Sequence, residues 1–300
     1  MPTHNTPQPI IIGCGFLGKH IATLLQEKQQ CPTCVVRSQL SHQQLMEHNL
    51  RAVICDLDHE LSNQSEFDLI NNQIYYLAPP SSSDNKDHRI DNFLSLCRTN
   101  QPSKIVYIST SGVYGDCQGN WVSEESPVAP ISTRAKRRVY AEKSLTSYCN
   151  QYGCDYIILR VGGIYGPDRL PIDRLKNLTV ICPEEAPYSN RIHVADLASV
   201  CFSAMSNNIQ NEVINVSDGN STSMSDYYYK IADFAGLPRP PCVPMSEAQY
   251  KLSAGMLSFI NESRLLSTEK MNRLLDIEIQ FPTLELGLED CFKNSALKNL

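Results

Sequence analysis

Gly13, Gly15 and Gly18, in the stretch IIIGCGFLGKHIATLL, directly follow an apolar run and open an amphipathic one. In a strand–loop–helix setting each glycine has its own use. Gly13 allows a tight turn, Gly15 lets a pyrophosphate approach the backbone, and Gly18 lets the helix pack closely on the strand. Phe16 and Leu17 lie between the second and third glycines, where an anion would rest on free helix N–H groups. A tight turn that holds no ligand would use the same glycines. The next apolar run ends at Arg37 and Ser38. An acidic residue there would suit the ribose diol of NAD, whereas a guanidinium suits the 2′-phosphate of NADP through paired hydrogen bonds. NADP is therefore preferred over NAD, the alternative being a solvated arginine at a strand end. Asp56, ending the third run, and Leu77, Ala78 and Pro79, ending the fourth, fall where such a sheet would flank adenine and ribose.

The stretch STRAKRRVYAEKSL carries Arg134, Lys136, Arg137 and Arg138, then Tyr140 and Lys143. The arginines could grip a substrate phosphate or carboxylate, or simply form a solvated helix face. Tyr140 and Lys143 are three apart, so on a helix they can touch. The pair Cys31 and Cys34, in CPTC, sits between a helix and a strand, the reverse of the usual redox order, and no second ligand pair completes a zinc site. No metal is expected.

Around these residues the first half alternates short β-branched runs with helical patterns, as in a parallel sheet covered on both faces. Strands are expected over 9–13, 34–37, 52–57, 74–78, 104–109 and 155–161, and helices over 16–29, 87–100 and 133–150. Composition shifts after Gly166 to proline-rich loops, a helix over 194–207, the strand VINVS and a helix over 223–236. The reading is an α/β chain: a doubly wound parallel sheet of Rossmann type over 1–166, with a smaller C-terminal substrate lobe over 167–300 that interleaves with it.

The chain has 300 residues, 42% hydrophobic and 19% charged, with a net charge of −6. That balance, without a basic run, argues against nucleic acid as a partner. No apolar run approaches the roughly 18 residues that span a bilayer, so no membrane is expected either. The polar, proline-rich start lacks a signal-peptide pattern, and twelve scattered cysteines suit free thiols in a reducing, cytoplasmic setting.

Four ordered motifs carry a resemblance. IVYISTSGVYGD, LRVGGIYGPDRLPIDRL, RIHVADLA and INVSDGNSTSMSDYYYKIADFAGLPRPP resemble, in order, segments of the extended short-chain dehydrogenases/reductases, the NAD-dependent epimerase/dehydratase family of sugar-nucleotide enzymes. The resemblance implies a nicotinamide dinucleotide, a small polar substrate such as a sugar nucleotide, and, by analogy, a homodimer built through two long helices. It also implies that Thr110, with Ser111 beside it, orients the substrate oxygen, the bland alternative being a strand-end cap. In that family a tyrosine phenol, its pKa lowered by a nearby lysine, exchanges the substrate proton.

Aligned through Glu142, the family's tyrosine falls on Arg134 and its lysine on Arg138. Arginine stays protonated and cannot shuttle a proton at neutral pH. Tyr140 lies six positions further on, about 600° of helical rotation and so roughly 120° off the expected face. A longer preceding loop would restore its register, so it stands as an alternative catalytic residue. Tyr165, at a strand end, is a candidate surrogate acid or a packing residue. Arg191 is a candidate substrate ligand, while His193 and Asp196 read as structural. Three functions follow: hydride transfer on a small polar substrate, dinucleotide sensing without turnover, or a scaffold with a vestigial loop.

Overall fold

The protein was analysed as a computed structural model, which describes residues 7–59, 67–81 and 84–294; the first six residues of the N-terminal tail fall outside them. Seven short strands lie side by side; most are apolar and buried on both faces, while the edge strand over 51–54 buries only Val53. They are β1 (Pro9–Ile12), β2 (Thr33–Val36), β3 (Arg51–Ile54), β4 (Gln73–Tyr76), β5 (Lys104–Thr110), β6 (Asp155–Val161) and β7 (Glu212–Val216). The sheet order is β7-β6-β5-β4-β1-β2-β3 and every pairing is parallel. The expected doubly wound sheet is present. Chain order reverses beside β1, and that switch point is where open α/β sheets take ligands.

Side chains alternate between the two faces, as the period of two requires. Ile11 packs under α1 (Phe16–Glu27) and the later helix Val194–Ser206, with Ile21, Leu25, Leu197 and Cys201. Ile10 and Ile12 face the opposite layer of α3 (His88–Cys97) and α4 (Thr133–Tyr152), with Phe93 and Leu145. A further helix, α2 (Gln39–Glu47), was not expected. It buries only Leu45, so it has no apolar stripe for periodicity to reveal. Its one local signal is Ser38, whose hydroxyl accepts from the Ser41 N–H at 3.3 Å and caps the helix.

Beyond Gly166 the chain first leaves the sheet and then rejoins it through Val194–Ser206 and β7. The lobe's own core gathers Tyr165, Ile172, Leu175, Ile231, Leu284 and Leu288. Asp196 ties the C-terminal segment down by accepting from the Gln280 and Phe281 N–H groups at 2.8 and 3.0 Å. Just past β6, Gly163–Tyr165 pairs in parallel with Arg191–His193. This crossing needs Gly162, since a Cβ there would lie 2.7 Å from the Asn190 carbonyl oxygen. It sets Arg191 directly beyond the carboxyl edge of the sheet. Among the described residues no helix is long and apolar enough to cross a membrane.

Candidate functional site

Two cavities open at the carboxyl edge of the sheet. The first, about 260 Å³, is lined by Gly13, Cys14 and Gly15, by Arg37 and Ser41, and by Asp56, Ala78, Pro79 and Arg89. Gly13 has φ +84°, and a Cβ on it would stand 2.7 Å from the Ala78 nitrogen, so only glycine fits this turn. Gly18 is tight for another reason, as a Cβ would meet Cys14 Sγ and Ile11 Cγ2 at 3.2 Å. Gly15 differs from both. It is the N-cap of α1, and a Cβ there would meet nothing closer than the Gly13 carbonyl at 4.0 Å. No side chain caps the helix, so its first N–H groups face the open space above Gly15. The loop therefore fits a diphosphate. Phe16 lies beside it with the Arg169 guanidinium 4.7 Å from its ring, and Leu17 is buried in the core.

At the far end of this cavity Arg37 stands largely exposed, 3.4 Å from Asp58. Arg89 grips the same carboxylate through Nε and Nη2 at 2.6 and 2.7 Å and holds it below the usual carboxylate range. Two guanidiniums thus share Asp58. Ser41 lines the cavity where Ser38 was expected, since Ser38 is occupied as a helix cap. Leu77 also falls outside the lining and packs against the core.

The second cavity, about 210 Å³, lies between the end of β5, the start of α4 and the Gly162–Gly163 crossing. Thr110, Ser111, Arg134, Arg191, Glu262 and Arg264 line it. The Thr110 hydroxyl accepts from the Gly112 N–H at 3.2 Å, which leaves its own hydrogen to donate. Glu262 accepts from Arg264 at 3.0 Å through one oxygen, while its other oxygen is buried with no donor. Arg191 lies with its guanidinium carbon 3.7 Å from the Tyr227 ring centroid, and burial lowers its pKa. Beside it, burial pushes Asp218 up to about 7.

Helix α4 spends three successive turns on three different tasks. Arg134 lines the second cavity. Arg138, four residues on, is turned inward, where Nη1 donates to the Ile108 carbonyl at 2.8 Å and to the Tyr107 hydroxyl at 3.1 Å. Glu142, four further, forms a buried ion pair with Arg160 of β6. Arg138 therefore braces the ends of β4 and β5 and is absent from the cavity, contrary to the expectation that it binds substrate.

Tyr140 is on another face again. Its hydroxyl donates to Asp91 of α3 at 3.0 and 3.1 Å, so the pair Tyr140 and Lys143 looks toward α3, away from both cavities. Tyr165 is likewise a packing residue. It is about 1% exposed, its hydroxyl has no partner, and a Cβ on Gly287 would collide with it. His193 caps the helix after it by accepting from the Ala195 N–H at 3.4 Å. Cys34 is buried in β2, where its thiol meets Cys14, whereas Cys31 is exposed. Four lining residues had no local signal: Ser41, Arg89, Glu262 and Arg264. Each reaches its cavity from a loop or helix distant in sequence from the glycine loop and from Thr110.

A glycine-rich turn at the switch point of a parallel sheet, with a polar cavity beside the next strand end, defines a dinucleotide-binding α/β protein. The model of the NAD dependent epimerase/dehydratase family matches residues 10–217, and the chain belongs to that family. A putative UDP-glucose 4-epimerase of Methanocaldococcus jannaschii is 26% identical over 243 residues, covering 72% of this chain and 78% of its own. The human dTDP-D-glucose 4,6-dehydratase is 35% identical over 68 residues, 23% of this chain and 19% of its own. Among solved structures, a conserved protein of unknown function from Silicibacter pomeroyi superposes with a TM-score of 0.82 at 24% identity, covering 97% and 99% of the two chains. The UDP-glucose 4-epimerase of Thermotoga maritima, solved with UDP-glucose, gives 0.77 at 19% identity, covering 96% and 98%. At these identities the structural likeness establishes the fold.

Proposed function

We propose that this protein binds a nicotinamide dinucleotide, NADP in preference to NAD, and transfers hydride to or from a small polar substrate held in the second cavity. The observation that carries the reading is the open, uncapped turn at Gly13 and Gly15, which lies at the same carboxyl edge of the sheet as the cavity of Thr110. Neighbours of this fold support it: MoeE5 was solved with UDP-glucose and NAD. When bound, the dinucleotide supplies or accepts hydride at C4 of its nicotinamide. Gly15 and the first N–H groups of α1 hold the diphosphate, and Arg37 with Arg89 and Ser41 receives the 2′-phosphate. Thr110 donates to the substrate oxygen. Glu262, a carboxylate of this cavity, takes the place of the missing phenol through its unpartnered oxygen: it accepts the hydroxyl proton when hydride leaves the substrate and returns a proton to the carbonyl oxygen when hydride arrives.

Titration of the purified protein with NADPH and NADH, followed by nicotinamide fluorescence, tests the reading. NADPH should bind the tighter, and Arg37→Ala should erase roughly 10- to 100-fold of that preference, the worth of a charge-assisted hydrogen bond. Binding of neither dinucleotide would overturn the proposal.

A second reading, dinucleotide sensing without turnover, is favoured by Arg134 and Arg138 standing where the family carries tyrosine and lysine. Glu262→Gln separates the two: hydride transfer requires that it abolish turnover while NADPH binding persists. Association into a homodimer is part of the family likeness, and sedimentation velocity would test it.

A further inference from the structure

Arg191 is the most unusual charge in the molecule. Its guanidinium carbon lies 3.7 Å from the centroid of the Tyr227 ring, its Nε is buried without an acceptor, and no carboxylate among the described residues lies within ion-pair distance of it. Arg191 is half-buried, and a partly desolvated cation with no carboxylate within ion-pair distance is costly to hold, so such a group is suited to take an anion. Asp218 is near, yet its side chain is turned to the Asn220 N–H, which it accepts at 2.9 Å. Arg134 and Arg264 line the same cavity. The cavity's one carboxylate, Glu262, is already paired with Arg264 at 3.0 Å. With Arg264 and Glu262 paired to each other, Arg191 gives the cavity its positive character.

The space outside has the opposite sign. Tyr188 lines both the inner cavity and a larger outer cleft of about 780 Å³, whose lining among the described residues includes Asp116, Glu184, Glu185 and Asp226 and no lysine, arginine or histidine. A nucleotide tail attached to a sugar in the inner cavity and leaving past Tyr188 would enter that cleft. Its diphosphate would meet four carboxylates with no compensating cation, and like charges in a confined, partly desolvated space repel strongly. The inner cavity alone, at about 210 Å³, is below the roughly 300–1,000 Å³ that encloses a drug-sized ligand.

Building on the proposal that this cavity holds the substrate, we infer that the substrate is a compact oxyanion. It is a carboxylate or phosphate monoester carrying a hydroxyl or carbonyl a few atoms away, and it is not a nucleoside-diphosphate sugar. Arg191 takes the anionic head and Arg134 assists. The hydroxyl or carbonyl reaches Thr110, and the acidic outer cleft turns nucleotides away.

The test is isothermal titration of the full-length protein saturated with NADPH, using inorganic phosphate, lactate, glycerol 3-phosphate, UDP and UDP-glucose as probes. At least one of the first three should bind saturably, and which one does distinguishes phosphate from carboxylate. Arg191→Met should weaken it roughly 10- to 100-fold, with NADPH affinity kept as proof of folding. If that variant does not fold, Arg134→Gln should weaken the same probe. Saturable binding of UDP or UDP-glucose, or no binding of the three small anions, overturns the inference. So does anion affinity that survives both substitutions. Failure of wild-type protein to bind NADPH would instead strike the dinucleotide reading on which this one rests.

Discussion

Glu142 and Arg160 meet in a two-point ion pair between α4 and β6, with Nη2 2.8 Å from Oε2 and Nε 3.2 Å from Oε1. Each side chain is about 8% exposed or less. The pair is extended by Ser109, which donates to Glu142, and by Tyr114, which accepts from Arg160 at 3.1 Å and donates to Asn215 at 2.7 Å. β5, β6, β7 and α4 are thereby joined beneath the second cavity. Removing one member strands the other as a buried charge, so Glu142→Leu should cost about 3–5 kcal/mol in urea unfolding. The double replacement Glu142→Leu with Arg160→Met should recover much of that. A single-variant loss under about 1 kcal/mol would mean that water reaches the pair.

The two loop glycines should respond differently to the same change. Gly13→Ala places a methyl 2.7 Å from the Ala78 backbone at φ +84°, a strain of about 1–3 kcal/mol, and should reduce both stability and dinucleotide binding. Gly15→Ala meets no protein atom nearer than 4.0 Å. It should leave the melting temperature within a few degrees of wild type and abolish NADPH binding. Equal stability losses in the two variants would contradict this division.

Tyr140 is bound to Asp91 on the α3 side of α4. Tyr140→Phe should therefore cost about 1 kcal/mol of stability and leave NADPH affinity and any turnover as they are. Loss of turnover with intact folding would return this tyrosine to the list of catalytic residues.

His193 makes stability depend on pH in a defined direction. Burial lowers its pKa from the ordinary 6.5 to about 4, against the pull of Asp290, whose carboxylate lies 3.4 Å from Nε2. Below about pH 6.5 the unfolded chain takes up a proton that the folded ring refuses until about pH 4. The contribution is thus complete above pH 6.5 and is lost as pH falls toward 4, about 3 kcal/mol in all, of which about 2 kcal/mol falls between pH 7 and 4.5. Asp218, raised by burial to about 7, works in the opposite sense over the same range. The observable is therefore the difference between wild type and His193→Asn, which keeps the helix cap. Denaturant unfolding from pH 7 to 4.5 should show wild type losing that much more than the variant.

The glycine loop was legible because all its determinants are local: an apolar strand, three glycines at fixed spacing and an amphipathic helix lie within one short stretch. The same holds for the seven-stranded alternation and for Thr110 at a strand end. Arg134 and Arg138 show where local reading stops. Both come from one helix one turn apart, and the sequence treats them alike. The difference between a cavity wall and a brace on the Ile108 carbonyl comes from which groups at the sheet edge each side chain meets, which no residue of α4 encodes by itself.

Arg89, Glu262 and Arg264 make the same point over a longer range. Arg89 lies 31 positions from Asp58 and Arg264 lies 149 from Gly115, whose carbonyl it meets, and neither sits in a periodic pattern that would mark it. Strand and helix order follow from short-range patterning, because hydrogen-bonding period and side-chain burial act between residues close in the chain. The charge of a cavity is a sum over side chains that meet only when loops from both halves converge. For that reason the glycine turn could be read along the chain, whereas the arginine-lined inner cavity and the acidic cleft outside it emerge once the lobe folds back onto the sheet.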